Sequence, residues 1–243
     1  MGATFGIAMS ARILGGLLSC ICALAVAQAA SAQSRPRHFD DIGRILCAEG
    51  TERYLPGDYY FCVANKALQA GKAGKALAMY EVSAAWGDKR AMFNLGLLYL
   101  RGEDMPRNEP LGLAWLALSA ERASDKLHRE VLAGAWTAAS PQARSAADAL
   151  WNQMKPKYAD RVALVRAKHR YDRETAQLRR DLLRDPTIEV WVDGLKPAPG
   201  GNVLDALEQA AQENLLRPSR VLAGEVNIGN PETLREPAKP PSP

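Results

Sequence analysis

The stretch Ala76-Leu-Ala-Met79-Tyr80-Glu-Val-Ser83-Ala84-Ala-Trp86-Gly87-Asp-Lys-Arg-Ala91-Met-Phe-Asn-Leu95-Gly96-Leu-Leu-Tyr99-Leu-Arg101-Gly102 decides how this chain folds. Ala76, Tyr80 and Ala84 are spaced by four, and so are Ala91, Leu95 and Tyr99, which puts each set on one helical face. Gly87 separates the two faces and Gly102 ends the second, so the stretch reads as a pair of short antiparallel helices. Its small residues let two backbones approach, while Met, Tyr, Leu and Trp fill the grooves beside them. Sliding the chain by 36 residues pairs Ala76 with Gly112, Met79 with Trp115, Tyr80 with Leu116, Ser83 with Ser119 and Ala84 with Ala120. Small residues meet small and bulky meet bulky, the mark of an internal repeat.

Working outward, nearly everything from Phe39 to Asp185 reads helical. Phe39, Ile42, Ile45 and Leu46 mark a short amphipathic helix that Gly50 can end. Helices are expected over residues 58–71 with Asp58 as N-cap, over 75–86, 88–101, 111–122 and 126–138, with a polar loop at 103–110. Ser140-Pro141 starts another helix that runs to about Met154, where Pro156 breaks or kinks it. A long polar helix is expected over 158–184, its apolar stripe being Leu164, Tyr171, Leu178 and Leu182, suited to capping the open end of a helical array. The pattern then changes. Residues 187–193 alternate like a strand, 196–201 form a loop, and Asn202 caps a helix bearing Leu204, Leu207, Ala211 and Leu215 that Pro218 ends. A second strand is expected over 221–228, giving a small strand-helix-strand appendage at 186–229 before a proline-rich, disordered tail at 230–243.

The pattern Ala76-x-x-Met79-Tyr80-x-x-Ser83-Ala84-x-x-Gly87-x-x-x-Ala91-x-x-x-Leu95-Gly96-x-x-Tyr99-x-x-Gly102 resembles a Sel1-like repeat, a relative of the tetratricopeptide repeat. The family's loop continues Gly-x-Gly-Val-x-x-Asp, and here reads Gly102-Glu-Asp104-Met105-Pro-Arg-Asn108, with the second glycine replaced. Its Ala-x-x-Trp recurs as Gly112-x-x-Trp115, followed by Ser119-Ala120. The motif is specific over residues 75–120, with degraded copies flanking it from residue 58 and to about 139. The resemblance implies a mainly α fold: a short α-solenoid of antiparallel helix pairs over 58–139, long capping helices over 140–185, and the small α/β appendage. It also implies a concave face that binds other proteins. The residues that pack the repeat are then Ala76, Tyr80, Ala84, Gly87, Ala91, Leu95, Gly96, Tyr99, Gly102, Trp115 and Ala120. Partner contacts are expected on exposed parts of the pairs, at Arg101, Glu103, Asp104 and Arg107.

Arg12 is the single charged residue before Arg35, and the apolar run from Ile13 to Ala27 is followed by Ala30-Ser31-Ala32. This is the layout of a secretory signal peptide over residues 1–32, with Gln33 as the mature start and a periplasmic or secreted product. An uncleaved inner-membrane anchor is the alternative, because the uncharged stretch from Ile13 to Ser34 is just long enough to span a bilayer. A lipoprotein site at Cys20 is disfavoured by the apolar residues that would follow it. Past the signal, Cys47 and Cys62 remain. In an oxidising compartment such a pair reads as one disulfide, Pro56-Gly57 reversing the chain between the two cysteines, and residues 33–57 form an N-terminal helix and disulfide segment. A metal site adding His38 lacks zinc-ligand spacing.

The chain has 31 Lys+Arg against 27 Asp+Glu, a formal charge of +4, and is 24% charged and 47% hydrophobic. That balance excludes a fully disordered or multi-span membrane protein and gives no support to a nucleic-acid partner. Ser-x-x-Lys, Gly-x-Ser-x-Gly, His-Glu-x-x-His and phosphate-cradling glycine loops are all missing from the sequence, so neither a catalytic site nor a cofactor is expected. His128 and Glu130, two apart on a helix, face different directions. Basic residues crowd the segment from Lys155 to Arg184, where an acidic envelope partner or anionic lipid would be the matching chemistry. The reading favoured is a non-enzymatic periplasmic protein–protein interaction module whose partner is another envelope protein. Membrane contact is expected only if the N-terminal segment stays uncleaved. The alternatives are a hydrolase of cell-wall or β-lactam substrates, as some secreted cysteine-rich Sel1-like proteins are assigned, and an envelope-anchoring protein that binds through its appendage.

Overall fold

The computed structural model describes residues 46–103, 105–122, 124–191 and 197–222. The signal segment, the helix expected from Phe39 to Ile45, Asp104, and the tail beyond Leu222 lie outside the described residues. After a short 3-10 turn at Thr51–Arg53 come seven consecutive α-helices: α1 Pro56–Gln69, α2 Ala73–Ala85, α3 Lys89–Arg101, α4 Glu109–Ser119, α5 Lys126–Ala138, α6 Pro141–Tyr158 and α7 Asp160–Arg184. Strands β1 Glu189–Val190 and β2 Ala198–Pro199 form a two-stranded antiparallel sheet, pairing Glu189 with Pro199 and Val190 with Ala198. Helix α8 Gly200–Ala211 follows, then a π turn at Gln212–Leu216 and α9 Arg217–Leu222. No helix among the described residues is long and apolar enough to cross a membrane.

The helix pairs lie where the small residues place them. Ala76, Tyr80, Ala84, Ala91 and Leu95 are fully buried in one core cluster with Trp115, Leu118 and Tyr158. Helices α3 and α4 cross where Gly96 meets Gly112. A Cβ on Gly96 would stand 3.0 Å from the Gly112 carbonyl and 2.7 Å from Leu116 Cγ; one on Gly112 would stand 3.0 Å from the Gly96 carbonyl. The two repeat-related serines, Ser83 and Ser119, are both buried, and each hydroxyl donates to a backbone carbonyl, Gly57 at 2.7 Å and Leu116 at 2.8 Å. Tyr80 keeps its hydroxyl satisfied by donating to Asn65 at 2.6 Å and accepting from Asn94 at 3.1 Å. Gly102 closes α3 in the left-handed region at φ 68°, with Arg107 packed where a side chain would stand.

Four local expectations are corrected. Asp58 does not cap α1. Pro56 takes the first helical position, where its missing N–H costs nothing, and Asp58 sits buried in the first turn. Helix α4 runs earlier than expected because Asn108 accepts from the Leu111 amide at 3.1 Å, so the helix ends at Ser119 and Arg122 falls in the following turn. Pro156 neither stops nor shortens α6, which continues to Tyr158; the Tyr158 ring packs edge-on against Trp115 with centroids 4.7 Å apart, holding that last turn in the core. Pro218 does not end the C-terminal helix. The π turn runs directly into α9 with Pro218 inside it, and the Asn214 carbonyl one turn before the proline accepts from Arg122 at 3.4 Å.

The C-terminal segment also differs from the expected strand-helix-strand. Val221 and Leu222 are helical rather than the start of a strand, and residues 223–228 lie outside the described residues. The second strand is instead Ala198–Pro199, within the stretch read as a loop. Nor does this segment hang off the body: Val203, Leu207, Ala211, Leu215 and Leu216 pack with Leu55, Leu164, Ala167 and Tyr171 in one cluster. Of the apolar stripe of α7, Leu164, Tyr171 and Leu178 are buried.

Candidate functional site: a charge network and its cleft

The antiparallel order gathers one set of helix ends: the start of α1, the α2–α3 turn, the α4–α5 turn and the α6–α7 corner. The π turn completes the group, since Asn214 donates to Asp58 at 2.9 Å. Together these segments carry a continuous charge network. Lys89 is buried, and its ammonium donates to the Leu118 carbonyl at 2.8 Å and to Glu121 at 2.7 Å and forms an ion pair with Asp160 at 3.1 Å. Arg122 forks onto both oxygens of Asp160 at 2.8 and 2.9 Å, and also donates to the carbonyls of Gly87 at 2.9 Å and Asn214 at 3.4 Å. Asp160 completes its own set through its amide, which donates to Glu121 at 3.0 Å. Arg90 bridges Asp58 at 2.6 Å and Asp88, stacking its guanidinium 4.3 Å from the Phe61 ring centre. Asp88 meanwhile caps α3 by accepting from the amides of Arg90 and Ala91.

Four carboxylates (Asp58, Asp88, Glu121, Asp160) thus face three cations (Lys89, Arg90, Arg122). Asp58 is buried on the Arg90 side. Burial pushes its carboxyl above the ordinary aspartate range and the Asp88 charge adds to this, outweighing Arg90 and the Asn214 hydrogen bond. Asp160 goes the other way. Burial alone would raise it, but the Arg122 hydrogen bonds and the Lys89 charge bring it below the usual value. The same pairing raises Arg90, the two aspartates overcoming the cost of burying its charge. Such a network holds helix ends in register.

Outside the network opens a cleft of about 830 Å³ between the α4–α5 turn, the starts of α3 and α7, and the segment from Glu213 to Leu222. One wall carries Lys89, Arg122 and Asp160; the facing rim carries Glu213, Arg217 and Val221. Val221 is 68% exposed. His128 also lines the cleft, but its ring stacks on Phe93 at 4.3 Å with Nδ1 3.2 Å from the Ser119 carbonyl, and Glu130 pairs with Lys126 instead. His128 and Glu130 are therefore not brought together. Among the described residues no group of three or more His, Cys, Asp or Glu is placed to hold a metal ion.

The structure joins Cys47 and Cys62 in a disulfide, their Cα atoms 5.5 Å apart. The residues proposed as partner contacts lie at the opposite helix ends from the cleft: Arg101, Glu103 and Arg107 are exposed around the α3–α4 loop, and Arg107 pairs with Glu109 at 3.4 Å. Asp104 lies outside the described residues. Sequence reasoning missed the network, though one signal was present. Lys89 and Arg90 occupy the first turn of α3, where positive charge opposes the helix dipole and requires carboxylates nearby.

No known family profile matches the chain, and no curated protein matches it. Among solved structures, it is similar to the crystal structure of c5321, a protective antigen present in uropathogenic Escherichia coli strains displaying an SLR fold. That neighbour is a Sel1-like repeat protein. The likeness has a TM-score of 0.38 and 19% identity, covering 58% of this chain and 27% of that one. The chain therefore spans about a quarter of the neighbour's length.

Proposed function

We propose that the chain is a non-enzymatic protein-binding module of the periplasm, acting through the surfaces its helix pairs present. The observation that carries this reading is the state of the cleft. The cations of its inner wall, Lys89 and Arg122, are held by Glu121 and Asp160 and shape that wall, while Glu213 and Arg217 line the rim as polar contact points. The volume, about 830 Å³, suits a peptide segment of a partner, and the exposed Val221 on its rim offers apolar contact. The α3–α4 loop, with Arg101, Glu103 and Arg107, supplies a second set of contact positions at the other end of the helices.

Photo-crosslinking tests the reading. A photoreactive residue placed at Glu213 or Arg217, and separately at Arg101 or Arg107, is expected to give one discrete adduct, competed away by excess purified chain. Adducts only with diffuse, abundant proteins at every position would defeat it. For location, osmotic-shock fluid should contain the chain beginning at Gln33 and with Cys47 and Cys62 unreactive until reduced. Retention in the membrane pellet with an intact N-terminus would replace export with anchoring.

A further inference from the structure

A surface distinct from the cleft lies at the corner between α6 and α7. Arg166 donates to the carbonyls of Ala85 and, at 3.1 Å, Lys157, while Arg170 donates to the Arg53 carbonyl at 2.9 Å. Both guanidiniums also lie against the Trp86 ring, 5.6 and 5.5 Å from its centre. The Lys157 ammonium sits 4.9 Å from the Tyr158 ring centre, and its carbonyl is the one Arg166 binds. None of these three cations is paired with a carboxylate among the described residues. In the charge network every cation meets carboxylates; here the acceptors are carbonyls and ring faces, which leave the positive charge uncompensated. The arginines are moreover already ordered, so binding an anion costs them little further freedom.

We propose that this corner docks an acidic segment of a partner protein, with two carboxylates about 6 Å apart to match Arg166 and Arg170, one helical turn from each other. The proposal rests on the protein-binding reading and adds the partner's chemistry. A lipid surface fits less well. Among the described residues of the first turns of α7, Val165 is the exposed large apolar side chain, whereas bilayer-seeking surfaces present aromatic and aliphatic groups for insertion.

The test uses the oxidised full chain and a fluorescein-labelled dodecapeptide of glutamate, read by anisotropy. Saturable binding is expected, weakening as salt rises and falling about tenfold or more in Arg166→Gln/Arg170→Gln, the scale of one lost ion-pair contact. Arg166 also ties α7 to Ala85, so Lys157→Glu provides a variant whose side chain makes no hydrogen bond. It should keep the parent melting temperature and lose binding comparably. Arg180→Gln/Arg184→Gln, at the far end of α7, should bind as the parent does. Failure of saturable binding, indifference to both corner variants, or preferential binding of phosphatidylglycerol vesicles through the same residues would overturn the proposal. None of those results would touch the crosslinks at the cleft rim or the α3–α4 loop, and loss of those crosslinks with peptide binding intact would instead remove the contact sites proposed there.

Discussion

Replacing Gly96 by alanine tests the central packing claim, because two effects of opposite sign compete. In a helix interior alanine is favoured over glycine by about 1 kcal/mol. Against that, the new Cβ would stand 2.7 Å from Leu116 Cγ and 3.0 Å from the Gly112 carbonyl. Leu116 is fully buried and the carbonyl belongs to the backbone of α4, so relief requires the two helices to separate. Overpacking of this kind costs about 1–3 kcal/mol, leaving a net loss on the order of 1 kcal/mol. Gly134, in α5, is the internal control: a Cβ there meets nothing within 4 Å, so Gly134→Ala should gain about 0.5–1 kcal/mol. For a domain of this size each kcal/mol moves the melting temperature by roughly 2–4 °C, within reach of thermal unfolding followed by circular dichroism. Gly96→Ala should melt lower than the parent, Gly134→Ala higher, and Gly96→Ala/Gly112→Ala lowest. If Gly96→Ala stabilised as Gly134→Ala does, α3 and α4 would not be in backbone contact, and the argument from small residues would fail.

The charge network makes a paired prediction in pH. Asp58, whose folded pKa is raised, stabilises below the unfolded carboxylate range and loses that contribution as pH rises through its folded pKa, so the stability of Asp58→Asn relative to the parent should climb as pH rises above the ordinary aspartate range. Asp160, whose folded pKa is lowered, contributes above the unfolded value and loses it as pH falls through the folded one; Asp160→Asn should cost most near neutrality and least in acid, in urea titrations at stepped pH. Slopes of the same sign for both would contradict the network. Lys89→Met strands Glu121, Asp160 and the Leu118 carbonyl and should cost about 3 kcal/mol by urea denaturation; a neutral result would mean the ammonium is not buried as described. Tyr171 carries a buried hydroxyl with no hydrogen-bond partner, and burial with the nearby Glu208 charge pushes its pKa up to about 12. Tyr171→Phe should therefore be neutral or stabilise by about 1 kcal/mol, and a clear loss would reveal a partner for the hydroxyl.

The helix pairs were legible because their information is local. Alanine, glycine and bulky residues recur at three- and four-residue spacing, and Gly87 and Gly102 punctuate them. The Sel1-like resemblance reads the same pattern. The charge network was not legible, because its partners sit 32 residues apart for Arg90 and Asp58, 38 for Arg122 and Asp160, and 156 for Asn214 and Asp58. Each residue alone resembles ordinary surface charge. Helix termini were misread where two local signals competed: Asp58 is a good cap in isolation, but Pro56 starts the helix first and releases the carboxylate inward. Val221 and Leu222 are helical where a strand was expected to begin, since burial of Leu215 and Leu216 carries the helix onward past the π turn.

That same burial bears on how the molecule divides. Val203, Leu207, Leu215 and Leu216 cover Leu55, Leu164 and Tyr171, joining the segment before α1 to the segment after α7. Burying four such side chains contributes on the order of 8 kcal/mol, comparable with the whole stability of a typical domain. A chain cut before Thr187 would expose the faces of α7 and of Leu55 that this cover keeps dry, and would withdraw Asn214 from Asp58 as well. The helical pairs and the C-terminal helices are thus one cooperative body rather than a scaffold with a detachable module. Point substitutions on the exposed rim or corner isolate a binding surface; truncation changes the core beneath it.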